Sequence, residues 1–257
     1  VARTVAENCG GLECLSGIPG TVGGTPVQNV GAYGQEVAES ITQVRVLDLE
    51  QNALRELENR DSGFAYRTSV FNTTSRGRYI VLRVCYALTP GAPPHLAYAD
   101  LKKYFTGRSA TATLAETREA VRQIRRSKAM LLVAGDADCR SAGSFFKNPI
   151  VSRSEYEAIC LAPAARGEAA PQFPAKEGRI KVSAAWLVEH AGFTRGYARG
   201  CVGLSSKHAL AIVNRGGAKA ADIVALKDEI QQSVMGAFGV ALQPEPVFAG
   251  FDLASRS

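Results

Sequence analysis

Histidine is scarce in this chain of 257 residues, and cysteine lacks the spacing that would give it a metal or a partner. The six cysteines at 9, 14, 85, 139, 160 and 201 form no Cys-x-x-Cys pair and have no companion histidine at ligand spacing. A zinc site and a disulfide framework are therefore not indicated, and the cysteines read as reduced thiols. The only histidines, His95, His190 and His208, are too few for a histidine-built centre, so no metal is expected. No apolar run is long enough to cross a bilayer, and residues 1–8 lack the basic and apolar regions of a secretion signal. A soluble cytoplasmic protein without a membrane partner is the expectation. There is no Gly-x-Ser-x-Gly elbow, which argues against nucleophilic hydrolysis. Acidic residues are the scarcer charge, 24 against 30 basic ones, and the net charge of +6 favours anionic partners. The densest basic cluster, Arg122, Arg125, Arg126 and Lys128, has no interleaved aromatics to stack on bases. It reads as a solvated helix face, and nucleic acid is not an expected partner.

Glycine, in contrast, is concentrated. The tract Gly17-Ile18-Pro19-Gly20-Thr21-Val22-Gly23-Gly24, followed by Gln28-Asn29-Val30-Gly31-Ala32-Tyr33-Gly34, combines dense glycine with almost no charge. Without Cβ atoms, consecutive N–H groups can point into one concavity and hold a pyrophosphate without a cation. Plain turns are the alternative reading of the same composition.

A hydrophobic content of 46% with 21% charge describes a folded globular chain, and no internal repeat is evident. The apolar spacing predicts a helix from the start to about Leu15, carrying Val1, Val5, Leu12 and Leu15 to a core. Strands follow at Ile41–Leu49, with Val44 and Val46 on one face, and at Tyr79–Leu88, with Ile80, Leu82, Val84 and Leu88 alternating. Residues 59–72 between them are polar and turn-rich. Ala115–Ser127 reads as a helix on Ala120, Val121 and Ile124, after a domain boundary at Gly107–Thr113. Pro163–Gly178 reads as an exposed loop, Val182–Ala191 as a helix burying Trp186, and His208–Asn214 as a strand. Ala221–Phe238 is the clearest helix, with Ile223, Leu226, Ile230, Val234 and Phe238 in period and Gly239 as its stop.

The string from Gly17 to Gly34 closely resembles the flavin-cradling segment of the UDP-N-acetylenolpyruvoylglucosamine reductase family. Three further blocks follow in that family's order: Tyr66-Arg67-Thr68-Ser69-Val70-Phe71, Gly143-Ser144-Phe145-Phe146-Lys147-Asn148-Pro149 and Leu242-Gln243-Pro244-Glu245. The resemblance covers nearly the whole chain. It implies an α+β fold: a partial FAD-binding domain of the PCMH/vanillyl-alcohol-oxidase-like type (residues 1–112), a smaller α+β substrate-binding domain (113–240), and a tail (241–257) carrying an acidic residue of the site.

The same resemblance implies FAD as cofactor and NADPH as reductant. It also implies a monomer that reduces UDP-N-acetylglucosamine enolpyruvate in peptidoglycan precursor synthesis. Arg67 aligns with the arginine facing the substrate carboxylate, Ser144 with the proton donor, and Glu245 with the acid on the opposite side of the enolate. Ile18, Pro19, Gly20, Thr21, Val22, Gly23, Asn29, Gly31, Ala32 and Tyr33 fall on cofactor-binding positions. Tyr66, Tyr98, Lys128, Lys147, Asn148 and His208 fall on substrate-binding ones, Tyr98 on a mobile loop of the family. In that family an earlier Gly-Gly-Gly-Ser-Asn-type loop completes the cradle. The expectation is that this chain is a fragment or truncated product whose Phe248 and Phe251 are left exposed. A different flavin oxidoreductase acting on alcohols, and a fragment binding UDP-sugar but no flavin, are the competing readings.

Overall fold

In the computed structural model of the chain, which describes residues 1–108 and 110–251, the opening residues form less helix than their apolar spacing predicts. Helix α1 (Ala2–Ala6) stops where Asn8 enters the left-handed region at φ 52°, and β1 (Cys9–Gly10) pairs antiparallel with Thr89–Pro90. Leu12 and Leu15 still reach the core, carried by a 3-10 turn over Glu13–Leu15, while Val1 stays exposed.

Contacts divide the chain into two units, Val1–Arg126 and Ser127 onward. In the first, β2 (Gly31–Ala32) and β3 (Gln35–Glu36) make a short hairpin. β4 (Ile41–Asp48), β5 (Ala53–Glu58) and β6 (Tyr79–Tyr86) form an antiparallel sheet in the order β5-β4-β6, and β7 is the Thr89–Pro90 partner of β1. Val44 and Val46 are fully buried on the inner face with Val37, Ile41 and Phe71. Along and just beyond β6 the expected face holds for Val84 and Leu88, which pack inward with Tyr86, but at the start of the strand Val81 turns inward while Ile80 and Leu82 are about half exposed at 48% and 51%. The cause is a register shift. Arg45 pairs with Arg83 but Val46 with Val81, so Leu82 is the extra residue of a bulge.

Helices α2 (Ala99–Phe105) and α3 (Leu114–Ser127) complete this unit. The contact division falls at the last residue of α3, between Arg126 and Ser127, and not at 107–113, because Ala120 and Val121 of α3 are buried with Cys14, Tyr33 and Leu101. Residue 109 of that expected boundary lies outside the described residues.

The second unit has the larger core. It contains β8 (Ile150–Val151), α4 (Arg153–Leu161), β9 (Gln172–Pro174), β10 (Ile180–Val182), α5 (Ala184–His190), β11 (Ala198–Arg199), β12 (Val202–Leu204), β13 (Ile212–Asn214) and α6 (Ala220–Phe238). Two three-stranded antiparallel sheets result, β8-β10-β9 and β11-β12-β13. Strand β9 lies inside the segment expected to be loop, and β13 is shorter than the expected strand. Leu226, Ile230, Val234 and Phe238 of α6 pack against α5, where Trp186 stacks on His190 at 3.8 Å. Gly239 ends α6 in the left-handed conformation at φ 67°, its N–H bonded to Met235 O.

β11 and β12 close unusually tightly. Gly203 sits where a Cβ would stand 2.3 Å from Tyr197 O and 2.6 Å from Arg215 Nε. The Arg215 guanidinium lies there instead, donating to Gly196 O and Leu204 O.

Residues 241–251 belong to the second unit. Leu242 is buried, and Phe248 packs edge-on to Phe145 and beneath the Lys227 ammonium. Phe248 and Phe251 are therefore half-buried against each other and this core, not left bare as expected. Residues 252–257 of the expected tail lie outside the described residues.

Candidate functional site

The glycine tract folds as a turn rich in unused donors. Val22–Gly24 form a 3-10 turn capped by Thr21, whose Oγ1 accepts from Gly24 N at 3.2 Å. The amides of Gly20, Thr21, Val22 and Gly23 donate to no group among the described residues, and Pro19, Gly20, Thr21 and Val22 are exposed. Gly20 takes φ 136° with open space where its Cβ would be. Ile18 packs back on the first core, so the loop is fixed at its root. A run of N–H groups without an acceptor on largely exposed residues suits the bridging phosphates of a dinucleotide.

In the second half of the tract Asn29, Gly31 and Tyr33 are buried, and this half holds the candidate arginine. Gly31 is fully enclosed: a Cβ there would lie 2.7 Å from Glu36 Cγ and 3.3 Å from Arg67 Nη1. Arg67 Nη2 donates to Gly31 O at 2.8 Å, so glycine at this position admits the guanidinium to the hairpin. Arg67 itself has φ 53° at the tip of a two-residue turn closed by paired Ala65–Thr68 hydrogen bonds of 3.0 and 3.1 Å. Its guanidinium lies 5.2 Å from the Tyr66 ring centre. Asn72 Nδ2 bonds Arg67 O, and Ser69 Oγ ties the same loop to Val27 O.

Two expected cofactor residues have other occupations. Asn29 is 1% exposed, and its amide donates to Glu36 Oε2 and Ala65 O while its oxygen accepts from Ala38 N. Tyr33 is 9% exposed, hydrogen-bonded to Arg125 and edge-on to Tyr98 at 5.5 Å. Burial pushes the Tyr33 phenol up to about 12. Arg125 is thus buried beneath the hairpin rather than on the solvated face expected of its cluster. Tyr98 caps α2 and is packed on Tyr33, and burial raises its phenol as well. Ala32 also packs here, its side chain shared between both cores of this unit.

In the second unit, the segment bearing Ser144 lies beside the one bearing Glu245. Glu245 N donates to Phe145 O at 2.8 Å, Phe146 bridges Pro244, and Lys147 N donates to Gln243 O at 2.9 Å. Ser144, Lys147 and Glu245 are half-buried. The segment is braced from the other side, where Phe145 N donates to Leu210 O. His208 Nδ1 accepts from Leu210 N at 3.1 Å, so His208 stands in the turn before β13 and sets that brace. Asn148 Oδ1 accepts from Ala184 N and anchors the start of α5. Lys128 is the second residue of this unit and is half-buried. The bracing roles of Asn29 and Asn148 depend on contacts 36 residues away, which no local pattern announced, whereas Asn72 and His208 act within five residues.

The profile of the C-terminal domain of UDP-N-acetylenolpyruvoylglucosamine reductase matches residues 135–249. Proteins named UDP-N-acetylenolpyruvoylglucosamine reductase align along nearly the full chain. The one from Thermobifida fusca is 46% identical over 98% of this chain and 72% of its own length. That from Salinispora arenicola is 46% identical over 96% and 69%, and that from Mycobacterium tuberculosis 45% over 97% and 70%. A crystal structure of the Thermus caldophilus protein of that name superposes with a TM-score of 0.61 at 23% identity, over 95% of this chain and 66% of that one. This last likeness carries the fold.

Proposed function

Because the chain belongs to the UDP-N-acetylenolpyruvoylglucosamine reductase family, we propose that it is an oxidoreductase of peptidoglycan precursor synthesis that reduces UDP-N-acetylglucosamine enolpyruvate with NADPH through FAD. In this reading the first unit is part of an FAD-binding region of the vanillyl-alcohol-oxidase type and the second binds the UDP-sugar, in a cytoplasmic monomer. The observation that carries it is the run of uncommitted amides from Gly20 to Gly23, a donor set that fits a pyrophosphate. Ile18 and Pro19 would shape the approach to it, and Gly31 and Ala32 would border it.

Held on the Gly20–Gly23 amides, FAD would supply the hydride chemistry between NADPH and the enolpyruvyl methylene. Arg67, aimed by Gly31 O and backed by Tyr66, neutralises the carboxylate into which negative charge spreads. Ser144 supplies the proton to the carbon beside that carboxylate; a hydroxyl suffices because the carbanion is far more basic than an alkoxide. Glu245 flanks the same carbon, and Lys147, which has no ion pair among the described residues, is the cation offered to the diphosphate. Tyr66, Tyr98 and Lys128 complete the substrate contacts, while Asn148 and His208 hold the backbone that carries Ser144.

A second reading is a protein that binds UDP-sugar without flavin, favoured by the second unit's own single core. The visible spectrum of the purified chain decides between them. Flavin bands support reduction through FAD. A colourless protein that retains UDP-N-acetylglucosamine supports the second reading, and a colourless one that binds neither rejects both.

A further inference from the structure

We infer that Asn29 is a positioning residue for Arg67, a role distinct from cofactor contact and resting on the reading of Arg67 as the carboxylate-binding group. Among the supports of Arg67 are the base of its turn at Ala65 and the hairpin carbonyl Gly31 O on which the guanidinium rests. The Asn29 side chain is bonded to the first support and to the strand partner of the second. Its Nδ2 donates to Ala65 O at 3.0 Å and to Glu36 Oε2 at 2.7 Å, and Glu36 is the residue paired with Gly31 across the hairpin. Its Oδ1 accepts from Ala38 N at 3.0 Å, immediately beyond that hairpin.

The amide therefore fixes the distance between turn and hairpin. A left-handed Arg67 is an unfavourable backbone state that persists only where its surroundings over-determine it. Asn29 also engages the carboxylate of Glu36, whose side chain encloses Gly31 together with the guanidinium. No other residue type offers two donors and an acceptor in this shape at φ 47° as readily as asparagine.

The test is Asn29→Asp, which keeps the shape and the acceptor for Ala38 but sets an anion against Glu36 and Ala65 O. Turnover of the enolpyruvyl substrate should fall by at least about tenfold, with NADPH-driven flavin reduction unchanged. Part of the loss should return at lower pH, as the introduced carboxyl and that of Glu36 share a proton that restores one donor. Equal loss in both half-reactions, or none, overturns the inference.

Should the parent chain show no turnover, the reductase reading fails, and the inference is decided by nitrogen-15 NMR of the Arg67 guanidinium. A side-chain signal that shifts or broadens in Asn29→Asp supports it, and an unchanged one overturns it. If that variant does not fold, Asn29→Ser, which retains a small hydroxyl donor, carries the same two measurements.

Discussion

Ser144 occupies a position with little latitude. The next residue is bonded on both sides, its N–H to Leu210 O and its carbonyl to Glu245 N, so the hydroxyl rides on backbone that neither neighbour can release. Replacing it with alanine removes one oxygen and disturbs none of these bonds. Ser144→Ala should leave NADPH-driven flavin reduction within about twofold while slowing enolpyruvyl reduction by ~100-fold or more, read by stopped-flow absorbance of the two half-reactions. Parallel loss of both would remove Ser144 as proton donor. The motifs that make Arg67, Ser144 and Glu245 candidates are legible because they stand in the family's order. What supports them is not. Asn29 and Tyr33 sit in the glycine tract like ligand residues, yet their side chains turn inward to Glu36 and Arg125, partners that sequence spacing does not reveal.

Among the elements, α3, α5 and α6 were readable because each buries one stripe, and β4 because Val44 and Val46 alternate with outward residues. Strand β5 escaped because Leu57 is its only residue that is not exposed, leaving no period to detect. Helix α4 carried a signal in its Ser152–Glu155 capping box, which the spacing of its few apolar residues obscured. The sheet's end depends on one carboxylate. Asp48 accepts from Arg78 Nε at 3.0 Å and Nη2 at 2.7 Å, and from the amides of Glu50 and Gln51. The Arg78 bonds foremost draw its pKa from 3.8 down to about 2. A carboxyl lowered on folding stabilises above its unfolded value, and that contribution fades as pH falls through the folded one. The thermal midpoint should therefore drop between about pH 4 and about pH 2, and Asp48→Asn should be less stable at neutral pH with a flatter drop. Glu13 acts in the same sense: burial pushes its carboxyl up, but N–H donors from His95 and Gly11 outweigh this and leave it below its ordinary value. A midpoint independent of pH across that window would count against both.

At the level of the whole molecule, the two units differ in how completely each encloses itself. The first divides its apolar residues between two small cores, one under the sheet and one around Tyr33 and α3. The second unites two sheets and three helices on a single core that includes its only indole, Trp186. A chain of residues 127–251 should accordingly fold alone and lose Trp186 fluorescence in one cooperative urea transition. A gradual, sloping change would mean that this core needs the rest of the chain.

The packing at Gly203 bears on how loss of function is interpreted. Any side chain there collides with the Tyr197 carbonyl and displaces Arg215 from the hairpin it laces together. A genetic screen for inactive alleles will return position 203 alongside those proposed to serve the reaction. Its lesion is one of maturation, visible as missing protein on an immunoblot, and should not be mistaken for damage to the chemistry.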